Sequence, residues 1–191
     1  MTVELARGWN ETLRAQVDFH YRELFRPRVG GLTDEEYLWE PVPDMWSLRL
    51  HGTSTSPTPV GTGEWQRDDA RGEPSPAPVT TIAWRIAHLT VECLAMRTEA
   101  HFAGPRAHWD TWPYTPHADE ALAALDTAYD EWTAGVTSLG EEGLARPGGP
   151  AEGQWGESPY ADLVLHLNRE LIHHGAEICL LRDLYLREDV S

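Results

Sequence analysis

The chain has no lysine: all 15 of its basic residues are arginine, and they face 31 acidic residues in a chain of 191. The net charge of −16 repels phosphate backbones and anionic headgroups, which argues against nucleic acid or a membrane surface as a partner. Cysteine is scarce. Cys93 and Cys179 are too few and too far apart for a disulfide framework or a zinc ribbon, and each lies in an apolar helical context that suits a small buried hydrophobe. No apolar run approaches the roughly 20 residues of a membrane span. The segment from Met1 to Gly8 lacks the basic start and apolar middle of a signal peptide, so a cytoplasmic protein is expected. Also missing are H-E-x-x-H, G-x-x-x-x-G-K-[ST] and G-x-S-x-G, which removes the usual signatures of zincins, P-loop enzymes and serine hydrolases.

What the chain does contain is helical periodicity in four stretches. Trp9, Leu13, Val17, His20 and Leu24 share helical spacing within residues 4 to 26, up to Pro27 and then Gly30-Gly31. Thr33 to Glu36 reads as a capping box for a short helix. Residues 46 to 78 show no periodicity, so the connector at about 27 to 79 is either functional or partly disordered, with no strand pairing expected. Thr80-Thr81 can cap a helix that carries Ile82, Ile86, Leu89, Cys93 and Met96 inward. Thr115-Pro116 starts a third helix running to Gly140, with Leu122, Leu125, Tyr129, Trp132 and Val136 on its apolar face. Ser158-Pro159 repeats that signal for a fourth helix ending near Arg187. The expected fold is all-α, a single four-helix bundle with a long crossover connection between helices one and two. Of nine tryptophans, six (Trp39, Trp46, Trp65, Trp109, Trp112 and Trp155) fall in connectors, where aromatics seal satellite cores or line a pocket mouth.

The fourth helix carries the chemistry. At about 100° per residue, His166, Glu170 and His174 step round by only about 40° each, and Glu177 returns to within about 20° of Glu170. They lie beside the apolar stripe of Leu163, Leu167, Ile178 and Leu181. Ionisable groups turned toward a core cost several kcal/mol unless paired or bound to metal. Two ligands leave a metal short of partners, and His88 in helix two is the best third donor. His88, Glu170 and His174 would suit zinc, iron(II), nickel or cobalt and leave a coordination position open, as catalytic sites do. The alternative for His88 alone is a hydrogen-bonded core histidine. His20, His166 and Glu177 are candidates to orient the ligands, and His173, turned about 100° from His174, is expected outside the site.

Taken together, Gly31-Leu-Thr-Asp-Glu-Glu-Tyr-Leu-Trp-Glu-Pro41, Trp46-Ser47, Thr80 to Leu89 and His166 to Glu177 resemble the DinB-like (YfiT-like) superfamily of metal-binding four-helix bundles, particularly its actinobacterial members. The resemblance implies that His88, Glu170 and His174 bind a divalent metal. Many relatives have His at the position of Glu170, whereas the mycothiol-dependent maleylpyruvate isomerases are similar in having Glu. It implies a thiol-dependent transferase or isomerase acting on a small electrophilic substrate. Mycothiol is the natural cosubstrate for the high-GC bacterial source that an all-arginine, Ala-, Gly- and Pro-rich composition suggests. A homodimer is a further expectation of the resemblance. The rivals are a metal-stabilised bundle that binds a small molecule or itself without catalysis, and a metal-assisted hydrolase.

Overall fold

The computed structural model describes residues 7–72 and 74–188, and among these four long helices dominate. Residues 4–6 of the expected first helix, and most of the Met1 to Gly8 segment, lie outside the described residues. Helix α1 starts as Trp9–Asp18, passes through a π-helical turn, Phe19–Phe25, and closes with Arg26–Arg28. Helix α2 is Asp34–Leu38. Strands β1 (Leu48–Leu50) and β2 (Trp65–Arg67) follow. Helix α3 runs Ile82–His88, a second π-helical stretch Leu89–Ala95, then Met96–Phe102. Helices α4 (Ala118–Leu144) and α5 (Tyr160–Tyr185) complete the bundle, joined through a 3₁₀ turn at Pro150–Trp155. No described helix is long and apolar enough to cross a membrane.

Most of the expected inward faces are buried, including Leu122, Leu125, Tyr129, Trp132 and Val136 on α4 and Leu163, Leu167, Ile178 and Leu181 on α5. Helix α1 departs from its expected phase. Trp9 and Leu24 are exposed, at 62% and 49%, while the expected Val17 is buried and is joined in the core by Tyr21 and Phe25. Residues four apart drift about 40° per step on a 3.6-residue helix; the π-helical turn, whose bonds run from i to i+5, absorbs that drift. Tyr21 stacks on Tyr129 at 3.9 Å and 5°, and its hydroxyl donates to Asp126 at 2.7 Å. Arg26 grips the same carboxylate in a fork of 2.7 and 2.8 Å, fastening α1 to α4.

The helix starts hold two corrections. Thr33 and Glu36 do form a capping box, and Thr81 caps α3 by accepting from the Trp84 N–H. Helix α4, however, starts at Ala118 rather than after Thr115, because Asp34 at the start of α2 accepts the Ala118 N–H at 2.8 Å. A cap donated by a distant segment has no local spacing to betray it. Ser158 does not cap α5, whose N-cap is Pro159 with no side-chain bond. Helix α4 also continues past Gly140, which takes φ 59° at a kink.

The connector is the larger correction, since it contains a paired sheet. β1 and β2 are antiparallel, with Leu48 opposite Arg67 and Leu50 opposite Trp65. Strands of three residues are too short to display a period of two. Asp68, buried at 2%, accepts from the Ser47 N–H at 2.9 Å and from Arg49 Nε at 3.1 Å. Trp46 is bonded through its backbone to Val79 and Thr81, tying the connector to the start of α3. The sheet thereby carries Arg67 underneath α3.

Helices α3 and α4 approach closely at Gly135, where an added Cβ would fall 2.1 Å from Phe102 Cδ2. Gly135→Ala should therefore destabilise the chain by about 1–3 kcal/mol through overpacking, despite the better helix propensity of alanine. Thermal unfolding of the two proteins measures it, and an unchanged or raised Tm would show that the Phe102 ring moves aside freely.

Candidate metal centre

Helices α3 and α5 run antiparallel, with Arg85 meeting Glu177 at 2.9 Å near one end and His101 meeting Tyr160 at 3.0 Å near the other. Between these ends the facing sides bring the three sequence-derived residues together. Glu170 Oε2 lies 3.4 Å from His174 Nε2 and 3.7 Å from His88 Nε2. The two imidazoles meet edge to face, with ring centroids 5.1 Å apart. All three side chains are partly shielded, at 16 to 23% exposure.

Each imidazole is fixed through its other nitrogen. His88 Nδ1 is 2.7 Å from Glu92 Oε2, and His174 Nδ1 is 2.7 Å from Glu177 Oε2. A carboxylate that receives the Nδ1–H keeps Nε2 as the inward-facing nitrogen, the one that offers a lone pair once the ring is neutral. Each of these carboxylates is held in turn by an arginine. Arg67 reaches Glu92 at 2.5 and 3.2 Å and also bonds Asp69, while Arg85 reaches Glu177. Trp84 stacks on His88, 5.3 Å between centroids and 15° between planes, and donates its indole N–H to Asp68 O, so the ring cannot tilt freely.

Glu170 stands at a metal-like donor spacing from each of the two histidines, while the donors that all lie within 4.8 Å of one another are those of His88, Cys93 and Glu170. Zinc bonds to N and O of about 2.0–2.1 Å in a tetrahedron separate neighbouring donors by about 3.3–3.5 Å, close to the spacings that Glu170 makes with both histidines. The electrostatics agree. Burial opposes charging of His88, yet Cys93, Glu170 and Glu92 outweigh it and push the imidazole up to about 12. Glu170 is held well below the usual carboxylate range, by His174 first and then His88. The pocket therefore favours positive charge between its carboxylates, which a proton or a metal ion can supply.

Of the orienting candidates, Glu177 holds His174 as described. His166 stands at the rim, 43% exposed, with Nδ1 accepting from Arg169 at 2.8 Å and lying 3.6 Å from Glu170 Oε1. His20 packs against Gly175, on the face next to that of Glu170 and His174. Its Nε2 has no hydrogen-bond partner, and burial lowers its pKa. His173, 63% exposed, forms a more open grouping with His174 and Glu177.

Four residues of this constellation escaped the sequence pattern. Glu92 stands four residues after His88, a spacing visible in principle. Arg67 and Arg85 carry no such signal. Cys93, expected as a plain hydrophobe, is buried, but its Sγ is 3.4 Å from His88 Nε2, and His88, Cys93 and Glu170 each offer a donor within 4.8 Å of the others.

A cleft of about 520 Å³, lined by Arg97, Glu152, Trp155, Asp162, His166 and Arg169 among others, opens beside the rim residue His166. A second of about 380 Å³ is lined by Glu92, the carboxylate bound to His88, together with Asp69 and Trp109. Two of the connector tryptophans thus line cavities beside the centre.

The sequence of residues 61–178 matches the family model of the DinB superfamily. No curated protein and no solved structure matches the chain. With more than half its length covered by that match, and with a helical bundle to go with it, the chain belongs to the DinB superfamily.

Proposed function

We propose that this chain is a divalent-metal-dependent enzyme whose ion is held by His88, Glu170 and His174, and that it carries out thiol-dependent transfer or isomerisation on a small electrophile. The cosubstrate is a low-molecular-weight thiol of the mycothiol type. The observation that carries the reading is one carboxylate set between two imidazoles, each with its far nitrogen bound to a second carboxylate. Zinc, nickel or iron(II) suits this donor set, and the bound ion would supply the charge that keeps a coordinated thiol ionised at neutral pH.

The protein's own groups perform the rest. Glu92 and Glu177 keep His88 and His174 in the tautomer that presents Nε2. Trp84 screens one face of His88 from water. The cleft at His166 offers a seat of small-molecule size with a tryptophan wall and the guanidinium of Arg169 at its rim. One observation favours a second reading, a metal-stabilised bundle without chemistry: Cys93 stands close enough to fill a fourth position.

Elemental analysis of natively purified protein, followed by thermal shift with metal and then with thiols, tests the proposal. An ion at about 100 times its Kd should add about 2.7 kcal/mol of stability. A cognate thiol should add a further shift only to the metal-loaded protein. Because His88 must lose its proton to bind, metal uptake at pH 7 should release acid, and the affinity should weaken as pH falls. Absence of any metal response overturns the site, metal binding without a thiol response leaves the non-catalytic bundle, and thiol-independent ester or amide cleavage identifies a hydrolase.

A further inference from the structure

We propose that Cys93 is an internal fourth donor, whose thiolate occupies at rest the coordination position that the external thiol must take. The inference rests on His88, Glu170 and His174 holding a metal ion, and it narrows what kind of site they make: two nitrogens, one oxygen and one sulfur, closed until a competing thiol displaces Cys93.

The argument starts from the backbone. On an α-helix Cys93, five residues after His88, would lie about 140° round the axis and face away from it. Helix α3 leaves α-geometry at the residue after His88, and Leu89–Ala95 is π-helical. Hydrogen-bonded rings that close from i to i+5 draw residues five apart toward one face, and such turns gather at functional sites. In consequence His88 meets both Glu92, at Nδ1, and Cys93, at Nε2, on opposite edges of its ring. The sulfur lies on the edge that points to Glu170, which is the metal-facing edge. Helix α5 also carries a cysteine, Cys179, but its electrostatic neighbours are Arg28, Asp183 and Arg182 rather than the centre.

The chemistry is consistent with the geometry. A thiol coordinates as thiolate, so the Cys93 S–H proton passes to solvent on binding and the formal charge of the donor set becomes −2 with Glu170, balancing a divalent ion. Zn–S bonds of about 2.3 Å beside Zn–N bonds of about 2.0–2.1 Å in a tetrahedron place S and N about 3.5 Å apart, against the 3.4 Å found between Cys93 Sγ and His88 Nε2. Cys93 is 4% exposed, so its sulfur is shielded from bulk solvent. An external thiol replaces one thiolate by another of like charge, and the released Cys93 takes up a proton.

X-ray absorption at the zinc edge of the full-length zinc-loaded protein, in thiol-free buffer, reads the outcome directly. The expected spectrum has one sulfur neighbour at about 2.3 Å, which disappears in Cys93→Ala and in Cys93→Ser and persists in Cys179→Ala. Zinc affinity should fall at least tenfold in Cys93→Ala while the fold is retained by circular dichroism. Cobalt loading gives a second readout, a thiolate-to-metal charge-transfer band lost in the same two variants. Zinc bound with only nitrogen and oxygen neighbours would overturn the inference and leave the three-ligand site intact, as would a sulfur shell that survives Cys93→Ala. Failure of the wild-type protein to bind zinc or cobalt would overturn both. Serine at position 93 conserves shape, so an effect shared by the two Cys93 variants belongs to the sulfur rather than to repacking.

Discussion

Replacing Arg67 by methionine should lower stability by about 2–4 kcal/mol. Removing one partner from a buried ion pair costs about 3–5 kcal/mol because it strands the other charge. The expected figure is lower here because Glu92 and Asp69 keep side-chain exposures of 29% and 21% and retain some hydration. Arg67 itself is 1% exposed, and its guanidinium also lies 5.1 Å from the Trp84 ring centroid and 5.9 Å from that of Tyr114. Methionine fills the arginine's apolar volume, so the loss is mainly electrostatic. The pH dependence separates this cause from packing. Burial works against ionisation of Glu92, but His88 and Arg67 overcome it and hold the carboxyl at about 2 against its ordinary 4.5. A carboxyl depressed in the fold stabilises above its ordinary value and loses that contribution as pH falls through the folded one. The difference between wild type and Arg67→Met should thus be full at pH 7 and narrow on acidification below about 4.5. Urea midpoints at matched slope measure both, and a pH-independent difference would assign the loss to packing.

The bundle was legible because burial and period coincide along α4 and α5, where every expected apolar stripe residue is buried. The same logic brought Glu170 and His174 to the inner edge of α5 and Glu177 beside them. It fell short in α1 and told only part of the story in α3. In the π-helical turn of α1 the core takes Tyr21 and Phe25 in place of Leu24, and the π-helical stretch of α3 makes the buried Cys93 a neighbour of His88 as well. A fixed angle per residue cannot report such a change, because it depends on tertiary packing. Arg67 was invisible for a different reason. Its partner Glu92 is 25 residues away, and the short strand that delivers it has no periodicity to read. Local pattern therefore supplied the candidate ligands that share one α-helical face, whereas the arginines that hold the carboxylates behind them came from long-range contacts.

Glu170→Ala and His174→Ala should each weaken divalent metal binding at least tenfold, since losing a ligand should cost no less than the 10–100-fold typical of losing a group that orients one. The double variant should purify without metal. Neither change should unfold the chain, because both side chains are partly solvated and the stripe formed by Leu163, Leu167 and Ile178 remains in place. Circular dichroism checks that point. The open grouping of His173, His174 and Glu177 shares one residue with the proposed centre, so His174→Ala alone cannot distinguish them. Glu170→Ala and His173→Ala can, because each removes a donor from only one of the two. At the proposed centre, Glu170→Ala strips the carboxylate lying between His88 and His174 and metal content collapses, whereas His173→Ala, acting on a side chain 63% exposed, leaves it within about twofold of wild type. The reverse result would move the ion to the outer edge of α5, out of reach of His88, and the thiol chemistry proposed for the bundle interior would fall with it.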